Sequence, residues 1–197
     1  MTPTPAPTPT PFSSRASLTE AHRVLAVLLA DPALIAQIDT AAATLARTIR
    51  TGNKVLAIGN GGSMCDAAHF AEELTGRFRA DRRPLPALAG NDPGHLTCTA
   101  NDYGFEFVFS RWVEALGQPG DALIILSTSG NSPNCLKAAH TAKAKGLHTI
   151  ALLGKQGGQL APLAHTPIIA PGTTSDRIQE LHMLILHIFV EAIEASL

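Results

Sequence analysis

The sequence is poor in aromatic residues, in cysteine and in net charge. Aromatic residues make up 5% of the 197 residues, and the net charge is −1. Cysteine occurs three times, as Cys65, Cys98 and Cys135, without a C-x-x-C spacing. Three distant thiols make neither a disulfide framework nor a cysteine metal site, so we expect reduced thiols. Because no basic stripe accompanies the near-neutral charge, we expect no nucleic-acid partner.

Long apolar runs and a secretory signal are also missing. The most apolar late stretch, 183–193, contains His187 and Glu191 and is too short and too polar to span a membrane. Residues 2–11 alternate Thr or Ala with Pro and lack the basic start and apolar centre of a signal peptide. That composition cannot pack, so a disordered tail is predicted over 1–15 and a single domain over 16–197. We expect a cytoplasmic protein with no membrane partner.

Two polar loops are the most informative features that are present. Loop 59–63, Gly-Asn-Gly-Gly-Ser, follows the apolar run 55–58, and loop 127–132, Ser-Thr-Ser-Gly-Asn-Ser, follows the apolar run 122–126. A polar turn between a strand and a helix presents backbone N–H groups to an anion, usually phosphate. Neither loop matches a P-loop or the G-x-G-x-x-G dinucleotide motif, which favours a small phosphorylated metabolite over a nucleotide. The second loop adds the hydroxyls of Ser127, Thr128, Ser129 and Ser132.

Strand and helix patterns alternate along the chain. Near-continuous apolar strands that alternate with helices are typical of a parallel sheet covered on both faces. We therefore predict an α/β three-layer sandwich with a five-stranded parallel sheet, preceded by a helical pair that is free to form a subunit interface. Ligands of such sheets bind at the carboxyl ends of the strands, where both polar loops lie. The predicted strands are 54–58, 85–88, 122–126, 149–153 and 166–169, and the predicted helices are 16–29, 32–51, 64–75, 93–100, 105–116, 133–145, 157–164 and 176–195.

Histidine and carboxylate side chains recur at helical spacing in two segments. His69 and Glu73 are four residues apart and share a helix face, and His187 lies in a very apolar helix. Imidazole and carboxylate groups are ordinary zinc ligands and equally suit proton transfer. The alternatives are a surface His–Glu pair and a hydrogen-bonded core histidine. Helix geometry alone leaves the partner of His187 open and slightly favours Glu180, seven residues away, over Gln179, eight away.

Other polar residues suit either ligand contact or a purely structural role. Asn101 and Asp102 precede a Tyr-Gly-Phe segment and can contact a ligand or form an Asx turn or helix cap. Asp176 can contact a ligand or cap the final helix. Arg77 can attract phosphate or be a solvated surface residue. Spacing does not decide between these roles.

Taken together, the motifs resemble those of the bacterial sedoheptulose 7-phosphate isomerases (phosphoheptose isomerases), a family of sugar-isomerase (SIS) domain proteins. The resemblance runs in order and at family-like spacing from about residue 16 to the C-terminus. Met64 departs from the family pattern, which has histidine there, but no functional position is affected. The motifs are loop 59–63, His-Phe-Ala-Glu-Glu-Leu-Thr-Gly-Arg at 69–77, Asn-Asp-Tyr-Gly-Phe at 101–105, loop 127–132, and Arg-Ile-Gln-Glu at 177–180 with His187.

The resemblance implies a SIS domain that forms a homotetramer, with active sites between subunits and one Zn²⁺ per subunit. It implies Glu73 and His187 as the proton-transfer pair, and it selects Gln179 over Glu180. The implied zinc ligands are His69, Glu73, Gln179 and His187. The implied substrate contacts are Asn60, Gly61, Gly62, Ser63, Glu73, Asn101, Asp102, Ser127, Thr128, Ser129, Ser132, Asp176 and Gln179.

The implied reaction converts sedoheptulose 7-phosphate to D-glycero-D-manno-heptose 7-phosphate, the first step toward nucleotide-activated heptose for glycans such as lipopolysaccharide. Three other functions share parts of the pattern. Non-catalytic relatives bind the replication initiator but lack the proton-transfer residues, whereas Glu73 and His187 are both present. Sugar-phosphate-sensing SIS domains usually adjoin a DNA-binding region, which 1–15 is too short and uncharged to provide. An isomerase for another sugar phosphate would have similar loops.

Overall fold

Residues 12–197 are described by a computed structural model. Residues 1–11 of the predicted tail lie outside the described residues. Helix α1 begins at Ser14, two residues before its predicted start at residue 16 and within the range 1–15 that was predicted as a tail. The Ser13 side chain accepts a hydrogen bond from the Ala16 N–H and so caps that helix.

Seven α-helices and five β-strands form within residues 12–197. The helices are α1 (Ser14–Leu29), α2 (Pro32–Arg50), α3 (Gly62–Thr75), α4 (Pro93–Tyr103), α5 (Val108–Leu116), α6 (Pro133–Ala144) and α7 (Ser175–Ala195). The strands are β1 (Val55–Gly59), β2 (Ala87–Ala89), β3 (Ala122–Ser127), β4 (His148–Leu153) and β5 (Thr166–Ile169). Two 3₁₀ turns occupy Phe105–Phe107 and Ala161–Leu163.

The five strands form one parallel sheet in the order β2-β1-β3-β4-β5. Strands β1 and β3 are buried along their whole length because helices cover both faces of the sheet. Along β3, Ile124 and Leu126 pack on one side with α1, α2, α3 and α7, whereas Leu123 and Ile125 pack on the other with α5 and α6. The predicted α/β sandwich is confirmed.

Two predicted helices differ from the observed structure. The predicted helix 157–164 is wrong: only the 3₁₀ turn Ala161–Leu163 forms, because Gly157 and Gly158 have φ of 79° and 54°. The predicted helix 105–116 begins as the turn Phe105–Phe107 and becomes α-helical only at Val108. Both corrections concern connecting segments, so the layers of the fold are as predicted.

Both polar loops lie at the same edge of the sheet. Strands β1 and β3 are adjacent and parallel, with Gly59 in register with Leu126, so their carboxyl ends meet there. Loop 59–63 leads into α3 and loop 127–132 leads into α6. This edge is where ligands of such sheets bind.

Within residues 12–197, no single helix is both long and apolar enough to cross a bilayer, whereas α1 and α2 taken together, with an 81° bend between them, have the length and composition of a broken span.

Candidate active site

His69, Glu73 and His187 form a compact cluster between α3 and α7. His69 Nε2 lies 3.0 Å from His187 Nε2 and 3.3 Å from Glu73 Oε1. All three donor atoms lie within 4.8 Å of one another. His69 and Glu73 share a face of α3, while His187 reaches the same point from α7, 118 residues later in the chain.

The spacing of these atoms fits a metal ion. Tetrahedral zinc with bonds of about 2.0–2.1 Å holds its ligand atoms about 3.3 Å apart. The observed separations of 3.0 and 3.3 Å are close to that value. Imidazole nitrogen and carboxylate oxygen are also suitable zinc donors, so His69, Glu73 and His187 together can hold the ion.

The surroundings of the cluster include a residue that sequence reasoning missed. Arg82 is nearly buried and donates hydrogen bonds to the backbone carbonyls of Glu73, at 2.7 Å, and Leu74, at 2.9 Å. Its guanidinium also pairs with Glu194 of α7, at 2.8 Å. Arg82 therefore caps the C-terminal carbonyls of α3 and fixes that helix end to α7. The only signal in the sequence was its place in a basic segment after a predicted helix.

Gln179 lies against the first polar loop. Its Nε2 donates to Ser63 Oγ at 3.2 Å, and a Cβ atom on Gly62 would lie only 2.9 Å from the same nitrogen. Glycine at 62 therefore leaves room for the Gln179 amide in this position. Within residues 12–197, no hydrogen bond joins Gln179 to the histidine–carboxylate cluster. The alternative from helix geometry, Glu180, has a half-exposed side chain and pairs with Arg177.

Arg177 belongs to the same predicted motif but has a structural role. Its guanidinium is largely buried and contacts Glu20 at 3.3 Å and Ser17 at 2.5 Å, both on α1. These bonds hold the N-terminal helix against the start of α7. The conspicuous Arg-Ile-Gln-Glu motif therefore combines one residue that packs the fold with one that faces the candidate site.

The two polar loops are linked by a pair of asparagines. Asn60 and Asn134 exchange two side-chain hydrogen bonds, of 2.9 and 2.8 Å, and Asn134 is buried. Asn134 Oδ1 also accepts from the Cys135 N–H at 3.0 Å. Sequence reasoning did not identify Asn134, because its partner is 74 residues away. Asn60, predicted as a sugar contact, has its amide engaged in fixing the relative position of the loops.

The hydroxyls of loop 127–132 make hydrogen bonds within the loop and to the start of α7. Ser127 Oγ accepts from the Gly130 N–H at 3.2 Å and lies 3.4 Å from Ser132 Oγ. Ser132 occupies the N-cap position but makes no side-chain cap bond. Pro133 has no N–H and the Cys135 N–H is bound to Asn134 Oδ1, so the Asn134 N–H is the first-turn donor of α6 that a side chain leaves uncapped and an anion can reach. Thr128 Oγ1 lies 3.2 Å from Ser175 Oγ at the start of α7.

The hydroxyl loop is supported from behind by the loop that was predicted as a helix. Gly130 has φ of 65°, and a Cβ atom there would lie 2.0 Å from the Gly157 carbonyl oxygen. Asn131 Oδ1 accepts from the Gln159 N–H at 3.0 Å. Glycine is therefore required at 130 by both conformation and space.

Some predicted contacts are not joined to the cluster within one chain. Asn101 and Asp102 are exposed at the end of α4, where the Asn101 Nδ2 donates to Asp102 Oδ1 at 2.8 Å. Asp176 is exposed in the first turn of α7, and a hydrogen bond from the Thr174 side chain lowers the pKa of its carboxyl. No hydrogen bond or ion pair in residues 12–197 links these three side chains to His69, Glu73 or His187.

Comparison with known proteins gives concordant likenesses over most of the chain. Residues 19–154 match the family model described as the SIS domain. A phosphoheptose isomerase of Fusobacterium nucleatum is 58% identical over 156 residues, covering 79% of this chain and 80% of its own. The phosphoheptose isomerase of Vibrio cholerae is 54% identical over 184 residues, which cover 93% of this chain and 96% of that relative. The structure of phosphoheptose isomerase from Neisseria gonorrhoeae aligns with a TM-score of 0.86 and 37% identity over 92% of this chain and 96% of that one.

Proposed function

The chain belongs to the phosphoheptose isomerase family of SIS-domain proteins and is a phosphosugar isomerase, and from this premise we propose that its substrate is sedoheptulose 7-phosphate. The product is D-glycero-D-manno-heptose 7-phosphate, which in the cytoplasm begins the route to nucleotide-activated heptose. The observation that best supports this chemistry is the cluster of His69, Glu73 and His187 beside two phosphate-type loops.

Glu73 and His187 are the proposed proton-transfer pair. Conversion of a ketose to an aldose removes a proton from C1, passes through an enediolate and returns a proton to C2. A carboxylate on α3 and an imidazole on α7 can reach a substrate lying between the helices, one as base and the other as acid. Such proton transfer accelerates a reaction by about 10²–10⁴-fold, which corresponds to about 3–5.5 kcal/mol of barrier.

We assign His69, Glu73, Gln179 and His187 as the ligands of one zinc ion per subunit. The separations among the first, second and fourth of these are compatible with a single ion. When bound, zinc supplies a Lewis acid that favours negative charge on the substrate oxygens.

The two polar loops bind the rest of the substrate. The phosphate is held by the hydroxyls of loop 127–132, at the N-terminal end of α6. Phosphate binding far from C1 orients the sugar chain for reaction and contributes to catalysis through that orientation. The proposed sugar contacts are Asn60, Gly61, Gly62, Ser63, Asn101, Asp102 and Asp176.

A homotetramer with sites between subunits completes the proposal. Asn101 and Asp102 are exposed and unconnected to the cluster within one chain, as expected of residues that contribute across a subunit boundary. Exposed leucines on α1, among them Leu18 at 71% and Leu29 at 66%, supply apolar surface that association would cover.

A coupled assay with C5, C6 and C7 ketose phosphates tests the proposed function. Sedoheptulose 7-phosphate is expected to give the highest kcat/KM, and a chelator is expected to lower the activity by about 10²-fold or more until zinc is restored. A higher kcat/KM for a pentulose or hexulose phosphate would overturn the substrate and assign the chain to another sugar phosphate. An unchanged rate after removal of all metal would overturn the zinc assignment.

A further inference from the structure

A second carboxylate contacts His69 on the side away from the cluster. Glu72 Oε2 lies 3.3 Å from His69 Nδ1, at an i,i+3 spacing on α3. The opposite ring nitrogen, Nε2, is the one that faces Glu73 and His187. Glu72 and Glu73 are thus adjacent in sequence but contact different nitrogens of one imidazole.

The two glutamates also differ in exposure. The Glu73 side chain is 15% exposed, whereas that of Glu72 is 66% exposed. An exposed His–Glu pair contributes little to the stability of a fold. Glu72 can instead affect which nitrogen of the His69 ring carries the proton.

A neutral imidazole has one N–H, and its position decides which nitrogen has a free lone pair. A lone pair on Nε2, where the cluster lies, requires the proton on Nδ1. Without a metal ion, the Glu73 carboxylate, 3.3 Å from Nε2, favours the opposite tautomer. A carboxylate beside Nδ1 accepts a hydrogen bond from that N–H and so favours the proton on Nδ1. Histidines that bind metal commonly donate their second N–H in this way.

We propose that Glu72 is a positioning residue: it holds the proton of His69 on Nδ1 and directs the Nε2 lone pair into the active site. The inference deepens the proposed function, since it rests on His69 as a metal ligand. His187 is held differently, by the Phe78 ring, whose centroid is 5.6 Å away at a 30° tilt. Among residues 12–197, no hydrogen bond to His187 Nδ1 is formed, so the carboxylate support is particular to His69.

The tautomer can be observed directly in the metal-free protein. Nitrogen-15 NMR of the imidazoles, at a pH where they are neutral, distinguishes Nδ1–H from Nε2–H. Glu73→Ala isolates the effect of Glu72, because it removes the carboxylate beside Nε2. We expect His69 in the Nδ1–H form in that variant and a shift toward Nε2–H when Glu72→Ala is added. Adding Glu72→Gln instead retains an amide oxygen that can accept from Nδ1–H, so it should preserve the Nδ1–H form. His69 in the Nε2–H form in Glu73→Ala, or an unchanged tautomer when Glu72→Ala is added, would overturn the proposal.

Zinc affinity gives a second readout. In competition with a chromogenic chelator, Glu72→Ala should bind zinc about 10–100-fold more weakly than the parent. Glu72→Gln should fall between them, and Glu114→Ala, which removes an exposed glutamate on α5, should match the parent. Thermal unfolding of the metal-free proteins should be alike, which separates positioning from folding. Equal zinc affinity in Glu72→Ala and the parent would overturn the positioning role.

The NMR result does not depend on catalysis. A Glu72-dependent Nδ1–H form in the Glu73→Ala background, together with a parent protein that has no isomerase activity, would support the role of Glu72 and overturn the proposed function. An active parent protein, together with a tautomer that does not respond to Glu72→Ala in that background, would do the reverse.

Discussion

His182 and His187 lie five residues apart on α7 and occupy opposite environments. His182 is fully buried, with its Nε2–H donating to the Leu153 carbonyl at 2.9 Å. Its Nδ1 has no hydrogen-bond partner in the described part of the chain. His187 is half-buried and faces His69 and Phe78. Five residues rotate a helix by about 140°, so one histidine packs against the sheet while the other reaches the site.

Burial sets the chemistry of the two rings apart. Burial lowers the pKa of His182 to about 4, and its hydrogen bond to the Leu153 carbonyl offsets only part of that effect. His182 is therefore neutral near pH 7 and cannot exchange protons with a substrate. A histidine in an apolar helix can thus be a core residue or a catalytic candidate, and its orientation decides which.

The largest expected effect is a loss of activity when His187, but not His182, is replaced. His187→Ala should lower kcat by about 10²–10⁴-fold, because it removes one proton-transfer group. Glu73→Gln should have a comparable effect, with the fold intact in both variants. Steady-state kinetics and circular dichroism of the purified proteins provide the measurement.

The matched control is His182→Leu. The Leu153 carbonyl also accepts from the Ala170 N–H at 2.9 Å, so the substitution leaves no buried carbonyl unpaired. This variant should keep the parent kcat per folded molecule. Full activity in His187→Ala or Glu73→Gln would defeat the catalytic assignment.

Metal removal should have the next largest effect on activity, and that effect should depend on His187 but not on His182. Dialysis against a chelator should lower parent activity by about 10²-fold or more, since a Lewis acid is worth several kcal/mol. Added zinc should restore the activity. His182→Leu should respond like the parent, and the residual activity of His187→Ala should respond little. A parent that loses its metal and keeps its rate would contradict the prediction.

Lowering the pH should reduce the stability of the protein through His182. In the unfolded chain this imidazole binds a proton near pH 6.5, but in the folded chain it does so only near pH 4. The contribution of His182 to the free energy of unfolding is therefore constant above about pH 6.5 and falls by up to about 3 kcal/mol as the pH approaches 4. Urea unfolding of the parent and of His182→Leu between pH 4 and 7 measures this contribution. Parallel pH dependences of the free energy of unfolding in the two proteins would rule out a contribution from His182.

The smallest expected effect is on substrate binding and leaves the chemical step unchanged. Ser129→Ala removes one hydroxyl from loop 127–132 and should raise KM about tenfold, the usual cost of a lost hydrogen bond to a charged group. Its kcat should change little. Thr141→Ala, a hydroxyl later on α6 that bonds to the Lys137 carbonyl, serves as the control. An unchanged KM in Ser129→Ala would remove the loop from the phosphate site.

Most of the fold was predictable because its signals are local. All five strands were predicted within two residues of their observed bounds. The runs 55–58, 122–126 and 150–153 are continuously apolar and bounded by turn or polar residues, which is typical of buried parallel strands. The predicted helix 157–164 was wrong because the conformation of Gly157 and Gly158 depends on their contact with loop 127–132. Local periodicity does not contain that contact.

The candidate site was predictable only in part. Spacing placed His69 and Glu73 on one face, but it could not choose between Gln179 and Glu180. The structure has Glu180 paired with Arg177 and Gln179 against Gly62, and both contacts depend on neighbouring elements. Supporting residues such as Arg82 and Asn134 were missed because their partners are distant in sequence.

The sequence by itself determined the order of strands and helices, the two polar loops and the shared face of His69 and Glu73. Hydrophobic periodicity and i,i+4 spacing act within a few residues, so they can be recognised without a structure. Only the tertiary structure decided that α7 presents His187 to that face and turns His182 into the core. Packing of α7 against α3 and the sheet sets that rotation, and it joins residues 118 positions apart that no local pattern connects.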